Sequence, residues 1–176
     1  LEGNPIHRDM EAAARMAGLA YLVNVVLNQK KQVIASFAGC PEQAHAEGCA
    51  YLRGLCRAGF RRPGDIVVTS NGGAPLDQNL YQAVKGLTAA EAVAAPGAVL
   101  ILCASCYDGA GGEGFYRAFR DCENPAALLE KIRGTPMEKT APDQWEVQIL
   151  ARILARFRVI LVCNPAMRPV AEEMGL

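Results

Sequence analysis

The chain has 176 residues, half of them apolar and a fifth charged, a composition that suits one globular domain with a real core. Eighteen basic residues balance eighteen acidic ones, so no net field recruits nucleic acid or an anionic membrane surface. No apolar run approaches the roughly 18 residues that span a bilayer, and Glu2, His7, Arg8 and Asp9 break any leader-like stretch at the start. Because the chain opens on Leu1 rather than methionine, a piece of a longer protein is expected.

In chain order, residues 7–18 carry the alanines of a helix, with Gly18 as the residue just past its end. Residues 19–27 and 32–39 read as two strands joined by a polar turn at Asn28 to Lys31. Pro41, suited to a helix's first turn, opens a second helix that runs to about Gly59. A short loop of Arg61, Arg62, Pro63 and Gly64 leads into Ile66, Val67 and Val68, a β-branched run read as a buried strand. Asn71, Gly72 and Gly73 make a turn, and Asp77 is placed to cap the helix that follows. Thr88 and Glu91 have capping-box spacing and suggest a further helix over 88–95. The run Ala98 to Cys106 is another strand, helices are expected over 113–120, 125–133 and 142–157, and Arg158 to Cys163 is the last strand. Five strands alternating with about six helices predict an α/β layered sandwich. The central sheet is expected to be mainly parallel or mixed and flanked by helices, in a single domain over 1–176.

The chemistry-bearing residues are few. Seven cysteines scattered through apolar segments read as reduced thiols of a cytoplasmic protein rather than a disulfide framework. Cys103 and Cys106 form a CxxC, but within one strand residues three apart face opposite ways, and no second CxxC completes a zinc site. Residues 109–114 satisfy GxGxxG after a strand, yet the second strand with its acidic residue is missing. A close-approach loop is the better reading there, with Asp108 either turning the backbone or aimed at a site. His7 and His45 share no ligand spacing and read as helix-surface or hydrogen-bonded histidines.

The stretch 65–86 is where a site is most readily built. Leu80, Val84 and Leu87 share one helix stripe, while Gln78, Gln82 and Lys85 share another. Two amides and an ammonium just past a strand end lie where open α/β sheets bind ligands, although a solvated helix face has the same pattern. Trp145, the sole tryptophan, opens a helix whose stripe continues through Ile149 and Ile153. Core packing and the apolar wall of a pocket are both consistent with it.

The segments SNGGAPLDQNLYQAVKGLTAAEA (70–92), CYDGAGGEGF (106–115) and DQWEVQILARIL (143–154) resemble the C-terminal domain of the nickel-dependent lactate racemases. The likeness runs from GNPIHRDM at 3–10 to about Pro165, nearly the whole chain. It implies a two-domain enzyme that interconverts 2-hydroxy acids by reversible hydride transfer to a nickel pincer nucleotide. That cofactor, its tethering lysine, its histidine ligand and the acid–base histidines belong to an N-terminal domain not mapped onto this chain. By motif position Gln82, Lys85 and Trp145 are the substrate contacts, with Asn71, Gly72, Gly73 and Asp108 on loops beside them. The expected partners are therefore a small 2-hydroxy acid and the enzyme's own N-terminal domain, with no catalytic or metal-binding residue in this chain. The rival reading is a non-catalytic α/β domain that binds a nucleotide or a small anion, the latter for instance at Ser70–Gly73.

Overall fold

A computed structural model describes residues 3–176, and the chain divides into two compact units, Leu1–Gly59 and Phe60–Leu176. The sequence pattern reads as one domain because strand–helix alternation does not reveal which strands share a sheet. In the first unit, helix α1 (Pro5–Met16) is capped by Asn4 and ends before Gly18, whose φ of +67° suits glycine past a helix end. Strands β1 (Leu22–Leu27) and β2 (Val33–Gly39) pair antiparallel around the expected turn, and α2 (Pro41–Cys56) packs on both. The two strands keep to themselves rather than joining a central sheet.

The second unit is built on a parallel three-stranded sheet in the order β3 (Gly64–Ser70), β4 (Ala94–Cys103), β5 (Arg158–Val162). Register places Val67, Leu100 and Val159 in one row and Thr69, Leu102 and Leu161 in the next. These rows face the core, where Leu100 and Leu102 are fully buried. Burying one such leucine contributes about 1.5–3 kcal/mol. Helix α3 (Leu80–Val93) packs on β3 and β4 through Leu80, Ala83, Val84, Leu87 and Ala90, a stripe with helical spacing. Helices α4 (Glu113–Arg120) and α5 (Pro125–Arg133) pack on α6 (Gln144–Leu154), which also packs on α3. A short helix α7 (Arg168–Glu173), unforeseen in the sequence, ends the chain.

Three expectations are corrected. Ile66 and Val68 are each 66% exposed and only Val67 turns inward, so the β3 run is not a buried strand. A β-branched run shows strand preference without showing that both faces are covered. Asn79, not Asp77, caps α3: its side chain accepts from the Gln82 N–H at 3.0 Å. Asp77 instead accepts from the Ser105 N–H at 2.9 Å and ties the β3–α3 connection to the segment after β4. The third correction is that α3 continues unbroken through Thr88. The Thr88 hydroxyl donates back to the Lys85 carbonyl at 2.7 Å, while Glu91 pairs with Arg152 and Arg156. A Thr-x-x-Glu pattern serves a helix interior as readily as a cap when its hydroxyl finds a backbone carbonyl.

Candidate functional site

The site is assembled where the chain leaves β3 and β4. The two segments that follow these strands are stitched together: Cys106 N–H donates to the Asp77 carbonyl at 2.9 Å and Asp108 N–H to the Gln78 carbonyl at 2.8 Å. In return, the first N–H groups of α3 are used up. Leu80 donates to Gly109 and Tyr81 to Ala110, each at 3.0 Å, and Gln82 donates to the Asn79 side chain. Gly111, at φ +89°, allows this approach, since a Cβ there would lie 2.4 Å from the Asn79 side chain. The consequence is chemical. A helix N-terminus binds an anion through unsatisfied N–H groups, and those of Leu80, Tyr81 and Gln82 are all engaged by the protein.

Asn71 has a comparable holding role. Its Nδ2 donates to the carbonyls of Leu76 at 3.0 Å and Gln82 at 2.5 Å. Its Oδ1 lies against Gly86, where an added Cβ would approach to 2.5 Å. This explains a glycine in mid-helix, otherwise unfavourable by about 0.5–1 kcal/mol relative to alanine. Gly72 and Gly73 carry the turn with φ near the left-handed region, +85° and +86°. Asp108 is exposed and accepts from Asn79 Nδ2 at 3.2 Å. Asn71 and Asp108 are therefore joined to Gln82, one directly and the other through Asn79.

On α3 itself, Lys85 Nζ donates to Gln82 Oε1 at 2.6 Å, with Lys85 exposed and Gln82 half-buried. That bond uses one of the three ammonium donors and leaves the Gln82 amide nitrogen available. Trp145, at the start of α6, is 49% exposed and meets Tyr81 edge-to-face at 6.0 Å between ring centroids. The buried stripe of α6 is Glu146, Leu150 and Ile153 rather than Trp145. Tyr81 immediately precedes Gln82, so this contact brings Trp145 to the same end of α3 as the Gln82–Lys85 pair. Trp145 thus lies one residue along α3 from Gln82, through its contact with Tyr81.

Sequence reasoning missed three members of this neighbourhood. Tyr81 packs between Trp145 and Phe115, and its hydroxyl donates to Asp143 Oδ1 at 2.9 Å. Burial, reinforced by Asp143, pushes the Tyr81 hydroxyl up to about 12, so it stays a neutral donor. Asp143 sits at φ +59° at the entrance to α6 and makes no side-chain cap, which frees its carboxylate for Tyr81. Glu146 has no exposed surface, and neither carboxyl oxygen has a hydrogen-bond partner among the described residues. Burial raises its carboxyl to about 7, opposed by the Lys85 charge and assisted by that of Asp143. Its signal in the sequence is spacing: Glu146 occupies the apolar stripe four residues before Leu150.

The other motifs lie apart from this chemistry. Burial pushes the Cys106 thiol up to about 11, the reverse of what a nucleophilic or metal-binding thiolate requires. In the first unit His7 stacks on His45 at 5.3 Å and pairs with Glu11 at 3.0 Å. Among the described residues, no group of three or more His, Cys, Asp and Glu side chains is arranged to hold a metal ion. An open cavity of about 680 Å³ lies between α4, α5 and the start of α6, lined by Arg117, Asn124, Lys131, Gln144 and Val147. It does not include Gln82, Lys85 or Trp145.

Residues 60–176 match the family described as the lactate racemase C-terminal domain, a span that coincides with the second compact unit. The lactate racemase of Thermoanaerobacterium thermosaccharolyticum is 51% identical over 174 residues, which is 99% of this chain and 41% of that protein. The lactate racemase of Lactiplantibacillus plantarum is 49% identical over 164 residues, 92% of this chain and 38% of that one. The structure of the lactate racemase apoprotein from T. thermosaccharolyticum superposes with a TM-score of 0.93 at 48% identity, covering 99% of this chain and 42% of that one. The chain thus spans about two-fifths of the length of these relatives. Among the described residues no helix is long and apolar enough to cross a membrane. The chain belongs to the lactate racemase family, and its residues 60–176 are that family's C-terminal domain.

Proposed function

We propose that the second unit is the substrate-contacting domain of a racemase acting on lactate or a closely related 2-hydroxy acid, with Gln82, Lys85 and Trp145 as its contacts. The observation that carries this reading is the Lys85 Nζ–Gln82 Oε1 bond at 2.6 Å, with Trp145 packed on Tyr81 one residue before Gln82. A 2-hydroxy acid presents a carboxylate and an α-hydroxyl on adjacent carbons. The Lys85 ammonium neutralises the carboxylate through a charge-assisted hydrogen bond. The Gln82 amide donates to, or accepts from, the α-hydroxyl beside it. Trp145 covers the reacting carbon and excludes water, which strengthens both contacts.

The reaction proposed for the whole enzyme is reversible removal and return of hydride at the α-carbon, with the preceding domain supplying a nickel pincer nucleotide. The residues described here do not fit that group, since their histidines, cysteines and carboxylates form no ligand set. No role toward nickel is therefore assigned to this chain. Residues 3–59 lie outside the matched domain, and we assign them to the end of the preceding domain. The seven free cysteines fit a reducing, cytoplasmic setting.

Trp145→Ala tests the reading. A core tryptophan costs about 3–5 kcal/mol on truncation. This one is half-exposed, and its loss is expected to cost under about 2 kcal/mol, mainly the edge-to-face contact with Tyr81. In the intact enzyme kcat should nevertheless fall by roughly tenfold or more, because water then enters beside the reacting carbon. Denaturant unfolding and racemisation kinetics measure the two effects. A large stability loss with turnover intact would make Trp145 a packing residue only.

A further inference from the structure

Besides the Gln82 amide, Lys85 acts on an ionisable group that has no task in substrate binding, Glu146. Glu146 belongs to the fully buried stripe of α6, yet it brings a carboxyl where Leu150 and Ile153 bring hydrocarbon. Both its oxygens lack hydrogen-bond partners among the described residues, an arrangement that costs far more for a carboxylate than for a neutral acid. The helix it faces, α3, presents Lys85 and Tyr81, and the entrance to α6 presents Asp143. Of these, only Lys85 favours ionisation of Glu146. From α4 and α5, which also pack on α6, Arg117 and Lys131 line the cavity that Gln144 and Val147 of α6 also line. On its own helix, Arg152 is committed to Glu91 at 2.7 Å. Burial does most to keep Glu146 neutral, and the Lys85 ammonium is the neighbouring charge that opposes it.

We infer that Glu146 is a positioning residue acting through Lys85, and that it takes up a proton when an anionic hydroxy acid docks on that ammonium. The inference rests on the proposed role of Lys85. A bound carboxylate cancels the one positive charge that favours ionised Glu146 and adds a negative charge nearby. Both effects drive the buried carboxyl toward its neutral form. A proton passes from solvent to a Glu146 oxygen, no bond to substrate forms, and the substrate leaves unchanged in charge. By linkage, whatever binds with proton uptake binds less well as protons become scarce. With Glu146 neutral, Lys85 offers its full charge to the substrate; with Glu146 ionised, that charge is shared.

The test is calorimetric titration of the intact, cofactor-loaded enzyme with racemic lactate at pH 7, run in phosphate and in Tris. Racemic lactate is already at the racemisation equilibrium and is fully ionised at this pH, so buffer-dependent heat reports protons exchanged by the protein. Uptake of a fraction of a proton is expected in the wild type and none in Glu146→Gln. Over pH 6 to 8 the wild-type KM should rise by about five- to tenfold while Glu146→Gln stays nearly flat. Difference infrared spectroscopy of the wild type, showing whether lactate increases the protonated-carboxyl band, gives the same answer even if the variant does not fold. Buffer-independent heat in the wild type, or proton uptake that persists in Glu146→Gln, overturns the inference. Lys85→Ala separates the levels. If it binds lactate normally, the substrate-site reading fails; if it loses binding while Glu146→Gln keeps proton uptake, only the role of Glu146 fails.

Discussion

Lys85→Ala, made in the intact racemase at matched cofactor loading, is expected to lose about ten- to hundred-fold in kcat/KM in both directions of racemisation. The estimate follows from removing a charge-assisted hydrogen bond to the substrate carboxylate, worth roughly 1.5–3 kcal/mol. Folding should be little affected. Lys85 is exposed and, among the described residues, its side chain bonds to Gln82 alone, so the stability change at pH 6 should stay within about 0.5 kcal/mol. At pH 8 a further loss is expected, because Lys85 is the charge that opposes burial in setting the ionisation of Glu146. Arginine should rescue poorly, since a planar guanidinium fork reaches past the Gln82 amide that a compact ammonium meets. Initial-rate kinetics on purified variants measure all of this. Near-normal activity in Lys85→Ala would return this helix face to ordinary solvent exposure.

The second large effect concerns stability rather than turnover. The Glu146 carboxyl is raised from 4.5 to about 7 in the folded chain, so the folded state holds its proton more tightly than the unfolded state does. A raised carboxyl contributes stability that is fully present below the unfolded value and is lost as pH rises through the folded value. Unfolding free energy should therefore decline between about pH 4.5 and 7.5, by on the order of 3 kcal/mol, and level off above that. In Glu146→Gln this decline should disappear, whatever the buried amide itself costs. Urea unfolding followed by Trp145 fluorescence suits the measurement, since the sole tryptophan is the residue next to Glu146. A wild type whose stability is flat across this range would mean that Glu146 is solvated or paired in solution.

The contrast between Gln82 and Glu146 shows what could be read from the chain before its structure was known. Gln82, Lys85 and the stripe of Leu80, Val84 and Leu87 were legible because helical spacing assigns faces directly. Trp145 stayed open between two roles because its helix stripe could be drawn through Ile149 and Ile153 or through Leu150 and Ile153. The structure chooses the latter, buries Glu146 and leaves Trp145 half-exposed. The parallel pairing of the last three strands followed from alternation with helices, but the exposure of Ile66 and Val68 did not. Strand propensity concerns the backbone, whereas burial depends on what lies above it. Tyr81 was invisible for a related reason. Its contacts with Trp145 and Asp143 span about sixty residues of chain, and no local pattern encodes such a meeting.

The most direct measurement is a structure of the intact, nickel-loaded enzyme with lactate, or an inert 2-hydroxy acid analogue, held in its site. The expected result is a substrate carboxylate oxygen within about 3 Å of Lys85 Nζ, hydrogen-bonding distance for a charged pair, with Gln82 reaching the α-hydroxyl and Trp145 covering the α-carbon. A substrate bound with Lys85 and Gln82 still paired to each other and turned to solvent would contradict the account.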